Sequence, residues 1–250
     1  MRRVWSLPGG EVSRLYLDML RQVHLLIAGA TGSGKSTVVN GIMCAALTYA
    51  PTQKRFILID PKGCELDEYK HLPHCITYAH KSGEILAALR GAVDLVNIRF
   101  ADMRRKGLRM YDGSDVYVII DELVPLMTLA ELKKPCIAAM QELLTVARAA
   151  RVHCIACTQS PIAIIIPSFI RCNYDSRLGL RTATAQDSRN IIGRKGCEKF
   201  PAPAVAGIAY GYYMRGADLD LYKLPMVDDR ERRRLLDWWE DHNKPRLKWA

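Results

Sequence analysis

Short runs of β-branched and aliphatic residues alternate along the chain with longer stretches whose apolar positions recur every three or four residues. The runs are Leu25 to Ala28, Phe56 to Ile59, Val116 to Ile120, Val152 to Cys157 and Leu178 to Leu180, with a further one at Ile208 to Met214. Between them Lys35 to Tyr49, Ser82 to Lys106 and Glu131 to Ala149 carry helical spacing. Strands that alternate with helices predict an α/β fold, a mostly parallel central sheet flanked by crossover helices. Gly107 to Asp115, with two glycines and three charges, is predicted to be a loop. No internal repeat and no low-complexity linker interrupts the pattern. Near the end, Asp228 to Trp239 sets Leu235, Leu236, Trp238 and Trp239 beside Arg230 and Arg232 to Arg234. This predicts an amphipathic helix docked on the edge of the domain with solvated arginines; contact with a membrane or with DNA is the alternative.

Length and composition narrow the class. A chain of 250 residues, 49% hydrophobic and 25% charged, suits one large soluble domain or two small ones and excludes a disordered or fibrous chain. The 36 Lys and Arg against 26 Asp and Glu leave a net charge of +10, which points to a polyanionic partner, either nucleic acid or an anionic membrane surface. The most apolar stretches, near Ile162 to Ile166 and Val116 to Ile120, fall far short of the ~20 residues a membrane-spanning helix needs. Met1-Arg2-Arg3-Val4-Trp5 runs at once into Pro8-Gly9-Gly10 with no apolar signal core, so a cytoplasmic location is expected.

The eight cysteines are expected to be free thiols. Cys154 and Cys157 form a C-x-x-C that is either a redox or metal pair or, since residues three apart on a strand face opposite ways, two core thiols. His71, His74, Cys75 and His80 lie close together, but a zinc half-site of matching spacing is missing.

The chemistry is concentrated at three strand ends. Gly29-Ala30-Thr31-Gly32-Ser33-Gly34-Lys35-Ser36 satisfies G-x-x-x-x-G-K-[ST] after a strand and at the start of a helix. Its glycines let main-chain N–H groups wrap phosphates at the positive end of the helix dipole. Lys35 is expected to reach the β and γ phosphates of ATP, Ser36 to ligate Mg²⁺ and Thr37 to bond a phosphate oxygen. Tyr117-Val118-Ile119-Ile120-Asp121-Glu122 is an apolar strand ending in two carboxylates. Asp121 is expected to hold the Mg²⁺ through its water shell and Glu122 to act as general base on the attacking water. Gln159, in Thr158-Gln159-Ser160-Pro161, either senses the γ-phosphate or caps a turn.

Taken together, His24 to Ser36, Ile59-Asp60-Pro61-Lys62-Gly63 with Glu65-Leu66 and Pro73-His74, Ile120-Asp121-Glu122-Leu123, and Ala147 to His153 leading into Thr158 to Pro161 resemble the FtsK/SpoIIIE family of DNA-translocating ATPases. Ile170 to Asn173, Ser176 to Leu178 and Asp187 to Gly193 continue the pattern in order. The resemblance implies a RecA-like P-loop NTPase of the ASCE type that assembles as a homo-oligomeric ring, commonly a hexamer, around double-stranded DNA. In such rings a neighbour's arginine completes the site. Arg177 matches that position and Arg189 is the second choice, each with a solvated surface arginine as the alternative. Arg148 and Arg151, at a helix end, are read as complementing its dipole.

A basic cluster of Arg99, Arg104, Arg105, Lys106 and Arg109 is the first candidate for DNA contact, against a solvated basic face. Arg171, Arg181, Arg194, Lys195 and Lys199 are a looser second set. The expected organisation is a lead-in strand over 1–23, the ATPase motor over 24–217 and a tail over 218–250. Neither a membrane region nor an orienting module is legible, which resembles compact relatives on conjugative elements, plasmids and phages. Such a motor feeds DNA to a membrane transfer apparatus through another protein. The competing expectation is a nucleotide-switched DNA-binding or scaffold ATPase that does not translocate.

Overall fold

The computed structural model describes Tyr16 and residues 19–162, 165–203, 208–225 and 227–241. Its strands are β1 (His24–Ala28), β2 (Lys54–Ile59), β3 (Cys75–Ala79), β4 (Asp115–Ile120), β5 (Val152–Thr158), β6 (Ser176–Gly179), β7 (Ile208–Arg215) and β8 (Asp218–Pro225). They form one sheet in the order β3-β2-β4-β5-β1-β6-β7-β8. The strands from β3 to β6 pair in parallel, and β7 and β8 add an antiparallel hairpin. The helices are α1 (Lys35–Thr48), α2 (Ser82–Lys106), α3 (Leu123–Thr128), α4 (Ala130–Val146), α5 (Ser168–Cys172), α6 (Ala185–Ile192) and α7 (Asp229–Asp241).

The central strands are apolar throughout because both faces are covered. Along β4, Tyr117 and Ile119 enter the core beneath α1 and α7, while Val116, Val118 and Ile120 enter the core beneath α2, α3 and α4. The same alternation separates the C-x-x-C. Cys154 lies in the second core and Cys157 in the first, both fully buried and free, and burial pushes the Cys154 thiol up to about 12. They are core thiols, and among the described residues no cluster of His, Cys, Asp or Glu is built to hold a metal.

Several expectations shift. The tail expected from 218 onward opens with β8, an edge strand of the same sheet, paired to β7 from Asp218 to Pro225. Its polar alternation, Asp-Leu-Asp-Leu-Tyr-Lys, belongs to a half-exposed strand, which a search for apolar runs passes over. The short edge strand β3 was hidden for the same reason. Asp115, expected in a loop, begins β4; Leu180 lies just past β6; and α4 stops at Val146 instead of Ala149. Of the expected lead-in strand, residues 1–15, 17 and 18 lie outside the described residues, while 16 and 19–21 are helical. The amphipathic helix α7 docks on the domain as the first reading expected, with Arg230, Arg233 and Arg234 exposed but Arg232, expected to be solvated, largely covered. Leu235, Leu236 and Trp239 pack into the core, the Trp239 indole N–H donates to the Leu47 carbonyl at 3.3 Å, and Arg232 pairs with Glu68 and Asp229. Among the described residues no helix is long and apolar enough to cross a membrane.

At the amino ends of β2, β4 and β5, Asp115 accepts from Lys54 at 2.6 Å and Arg151 at 2.7 Å, with the His153 ring at 3.4 Å. Burial alone would raise the Asp115 carboxyl, but these three partners outweigh it and hold it well below the usual range. Arg151 therefore ties down a carboxylate, and its left-handed φ of 55° turns the chain into β5.

Two buried histidines make stability depend on pH. His24 is 2% exposed and its Nδ1 accepts the Cys154 N–H at 3.0 Å; burial, with help from His153, pushes it down to about 3. His74, edge-on to Trp239, is pushed down to about 4 by burial and by Arg55. Both lie below the unfolded value of about 6.5, so the unfolded chain binds more protons and stability rises with pH between those limits. Lowering the pH from 7 to 5 is expected to remove about 1–2 kcal/mol for each histidine. The check is a set of urea midpoints across that range, with the His24→Gln and His74→Gln variants showing flatter profiles.

Candidate nucleotide site

The carboxyl ends of β1, β5, β4 and β2 face one cleft of about 300 Å³. In an open α/β sheet this is the edge at which ligands bind. The loop after β1 wraps one wall. Gly32 and Gly34 sit at φ of 71° and 98°, left-handed conformations that glycine adopts freely, and Gly34 starts α1 without a side-chain cap. A Cβ on Gly34 would meet the Ala209 Cβ at 2.8 Å, and one on Gly29 would meet Ser33 Oγ at 2.5 Å. The loop is thus pressed against β7 as well as against its own turn. The N–H groups at the start of α1 are left for a ligand. Lys35 Nζ donates to the Gly29 carbonyl at 2.8 Å and the Ala30 carbonyl at 3.1 Å, and burial lowers its ammonium below the ordinary lysine value.

Thr31, Gly32, Gly34, Lys35, Ser36 and Thr37 line this wall. Asp121 and Gln159, from β4 and β5, line the floor. Glu122 does not line the cleft. It is buried beside it, with Oε1 accepting from Val124 N–H at 3.2 Å and Gln159 N–H at 3.3 Å, while Oε2 is buried with no hydrogen-bond partner among the described residues. Gln159 Oε1 in turn accepts from Thr31 Oγ1 at 2.8 Å. Gln159 is therefore a bridge from the phosphate loop to the carboxylate expected to be the base.

Asp121 is pushed up to about 6, first by burial and then by the carboxylates of Glu65 and Asp60. Ser36, Glu65 and Asp121 line the same cleft, so oxygen donors of the kind a hard divalent cation takes are brought together there. Mg²⁺ takes one or two protein oxygens and leaves its other positions to phosphate and water, so Asp121 and Ser36 fit it.

Sequence reasoning missed five lining residues: Lys62, Glu65, Pro203, Ile208 and Ala209. Lys62 and Glu65 stood in the Asp-Pro-Lys-Gly-x-Glu-Leu segment directly after a strand, a position that could have marked them. Ile208 and Ala209 carried no signal, because only the antiparallel return of β7 brings them to the loop.

Neither Arg177 nor Arg189, expected to serve a neighbouring subunit's site, lines this chain's own cleft. Arg177 is half-buried on β6, where Nη1 donates to the Ile191 carbonyl at 3.2 Å and Nη2 to the Arg171 carbonyl at 3.0 Å, clasping α5 to α6. Arg189 is exposed on α6 and bonds only Gln186 Oε1, at 3.2 Å, among the described residues. Of the basic cluster, Arg99 is a structural residue. It is 3% exposed, donates to the Ala150 carbonyl at 2.8 Å and stacks 4.3 Å from the Tyr111 ring. Arg104, Arg105, Lys106 and Arg109 are exposed, Arg105 pairing with Asp102 and Lys106 with Asp102 and Asp112.

The profile of the FtsK/SpoIIIE family matches residues 8–213. DNA translocase FtsK of Lactococcus lactis subsp. cremoris is 36% identical over 218 residues, which cover 78% of this chain and 28% of the relative. DNA translocase FtsK of Mycobacterium tuberculosis is 35% identical over 207 residues, covering 73% and 25%. The chain thus spans about a quarter of the length of these curated relatives. Among solved structures, the pCW3 conjugation coupling protein TcpA with ATPgS superposes with a TM-score of 0.74 at 23% identity, covering 88% of this chain and 66% of that one. The cytoplasmic domain of the Thermomonospora curvata type VII secretion ATPase EccC gives 0.71 at 21%, covering 91% and 29%. Both likenesses concern the fold.

Proposed function

The chain belongs to the FtsK/SpoIIIE family, and from that premise we propose that it is an ATP-dependent motor that moves double-stranded DNA as a ring of identical subunits. The carrying observation is that Lys35, Ser36, Asp121 and Gln159 converge on one cleft, with Glu122 held against Gln159. The glycine loop holds the phosphates, and Lys35 neutralises the terminal ones. Asp121 and Ser36 are the residues that would hold a Mg²⁺ ion, which when bound would offset charge on the phosphate oxygens. Glu122 takes the proton of the attacking water, and Gln159 reports loss of the γ-phosphate to Thr31 and Glu122. For the arginine given to a neighbour's cleft, exposure favours Arg189 over Arg177, whose two carbonyl bonds give it a structural task. We assign residues 24–241 to the motor unit, since β8 and α7 share its sheet and core.

Feeding DNA to a membrane transfer apparatus through another protein is the host role we favour, supported by the fold shared with a conjugation coupling protein. The test is hydrolysis with and without linear duplex, over a series of protein concentrations, together with displacement of a triplex strand. Stimulation by duplex, cooperative dependence on concentration and displacement are expected. Hydrolysis indifferent to DNA, with no displacement, would instead identify a nucleotide-switched scaffold. Arg104 and Arg109 are the exposed candidates for phosphate contact. The double variant Arg104→Ala, Arg109→Ala is expected to flatten the slope of log affinity against log salt by about 1.8, measured by DNA binding between low and moderate salt. An unchanged slope moves the DNA path elsewhere.

A further inference from the structure

We propose that Lys62 is a second phosphate-contacting cation of the cleft, reaching the terminal phosphate from the wall opposite Lys35 and making the site prefer a nucleoside triphosphate to a diphosphate. The inference rests on the nucleotide-site reading above and adds a residue to it.

The placement follows from sheet order. Lys35 follows β1 and Lys62 follows β2, and the sheet inserts β5 and β4 between them. At a strand spacing of about 4.8 Å, the two strands stand about 14 Å apart. Both lysines nonetheless line the same cleft, one from each side, with Asp121 and Gln159 on the floor between. A lysine extended from each side leaves room for a phosphate group in the middle. Lys35 meets the β and γ phosphates from the glycine-loop side, so the γ-phosphate, last in the row, is the one left to face the β2 wall as well.

The backbone that carries Lys62 is held rigidly. Asp60 is fully buried at the end of β2, and its two carboxylate oxygens accept four main-chain N–H groups: Lys62 at 3.2 Å, Gly63 at 2.9 Å, Glu65 at 2.8 Å and Leu66 at 3.0 Å. Gly63 makes the turn at a φ of 71°. Such a turn spends a buried carboxylate on fixing the loop, and a loop fixed in advance presents its side chain without ordering it on binding.

The ammonium makes no close ion pair, although its charge is felt at Asp121 and Lys35. Lys62 is exposed and lies within ion-pair distance of no carboxylate among the described residues, whereas Lys54 and Lys70 each have one and Lys106 has two. A lysine held over a cleft already lined by Asp121 and Glu65 is a cation awaiting an anion that comes with the ligand. Lysine suits the task, since its ammonium is a point charge able to follow a phosphate whose position changes as the bond to it breaks.

The experiment measures ATPγS and ADP affinity by calorimetry, with Mg²⁺, for the intact chain and for Lys62→Ala, Lys62→Gln and Lys62→Arg. A charge-assisted hydrogen bond made only to the terminal phosphate predicts that Lys62→Ala and Lys62→Gln weaken ATPγS about 10- to 100-fold and leave ADP within about twofold, while Lys62→Arg recovers most of the loss. Equal weakening of both nucleotides, or no change in either, overturns the proposal and leaves the nucleotide site standing. If the intact chain binds neither nucleotide, the reading of the cleft itself fails and the proposal with it. Unchanged thermal midpoints of the variants, expected for an exposed side chain, separate lost contact from lost fold.

Discussion

Glu122→Gln is expected to bind ATP as the intact chain does and to hydrolyse it about 100- to 10,000-fold more slowly, the contribution of a positioned general base. The substitution is close to isosteric. The amide oxygen of glutamine still accepts the Val124 and Gln159 N–H groups that orient Oε1, so the cap of α3 and the link to Gln159 survive. What changes is the other atom. Oε2 is the buried oxygen left without a partner among the described residues, and an NH₂ in its place cannot take a proton. Steady-state hydrolysis alongside fluorescent-nucleotide binding decides the matter. Turnover within threefold of the intact chain at unchanged affinity removes Glu122 from the reaction.

Lys35→Ala is expected to abolish measurable hydrolysis and to weaken ATP binding by at least tenfold, because one residue serves both the ground state and the transferring phosphate. The structure adds a second reason. Lys35 Nζ bonds the Gly29 and Ala30 carbonyls, so alanine also releases the loop from its own side chain. Lys35→Arg is expected not to rescue turnover, since a planar fork does not reproduce a compact ammonium inside a closed loop. The fold is expected to stay intact, which circular dichroism and the urea midpoint check. Hydrolysis by Lys35→Ala at more than a few percent of the normal rate, with the fold intact, would move the phosphate site away from this loop.

How much of this was legible depends on where each residue sits relative to the sheet. Central strands announce themselves because burial on both faces demands apolar residues at successive positions, so β1, β4 and β5 were found nearly to the residue. The edge strands β3 and β8 face water on one side and lack that signature. Cleft-lining residues that lie in one local motif, such as Lys35, Ser36 and Asp121, were legible because local sequence fixes their spacing, whereas Glu122, expected beside Asp121 in the site, lies buried next to the cleft. The cleft's other wall was not legible, since Lys62 meets Lys35 only through the order in which the strands pair, and Ala209 meets Gly34 only through an antiparallel return. Charge was the least legible feature. Arg99 and Arg104 belong to one basic run five residues apart on α2, yet one is buried against Tyr111 and the other faces solvent, a difference that helical phase and packing decide and composition does not.

The polar cluster under the sheet has a consequence for how the molecule breathes. Asp115 gathers Lys54, Arg151 and His153 at the amino ends of three strands, Tyr117 donates its hydroxyl to the Leu20 carbonyl, and the His153 ring lies 3.0 Å from the Gln22 carbonyl. Opening that end would strip several charged groups of their partners at once. At the other end the glycine loop after β1 is held by only a few bonds and the cleft is open to water. Amide hydrogens should therefore exchange with deuterium slowest at 115–118 and 152–155 and fastest at 31, 32 and 34, while the loop after β2, pinned by Asp60, stays protected, so that the domain loosens first at its glycine loop while the opposite end of the same strands stays shut.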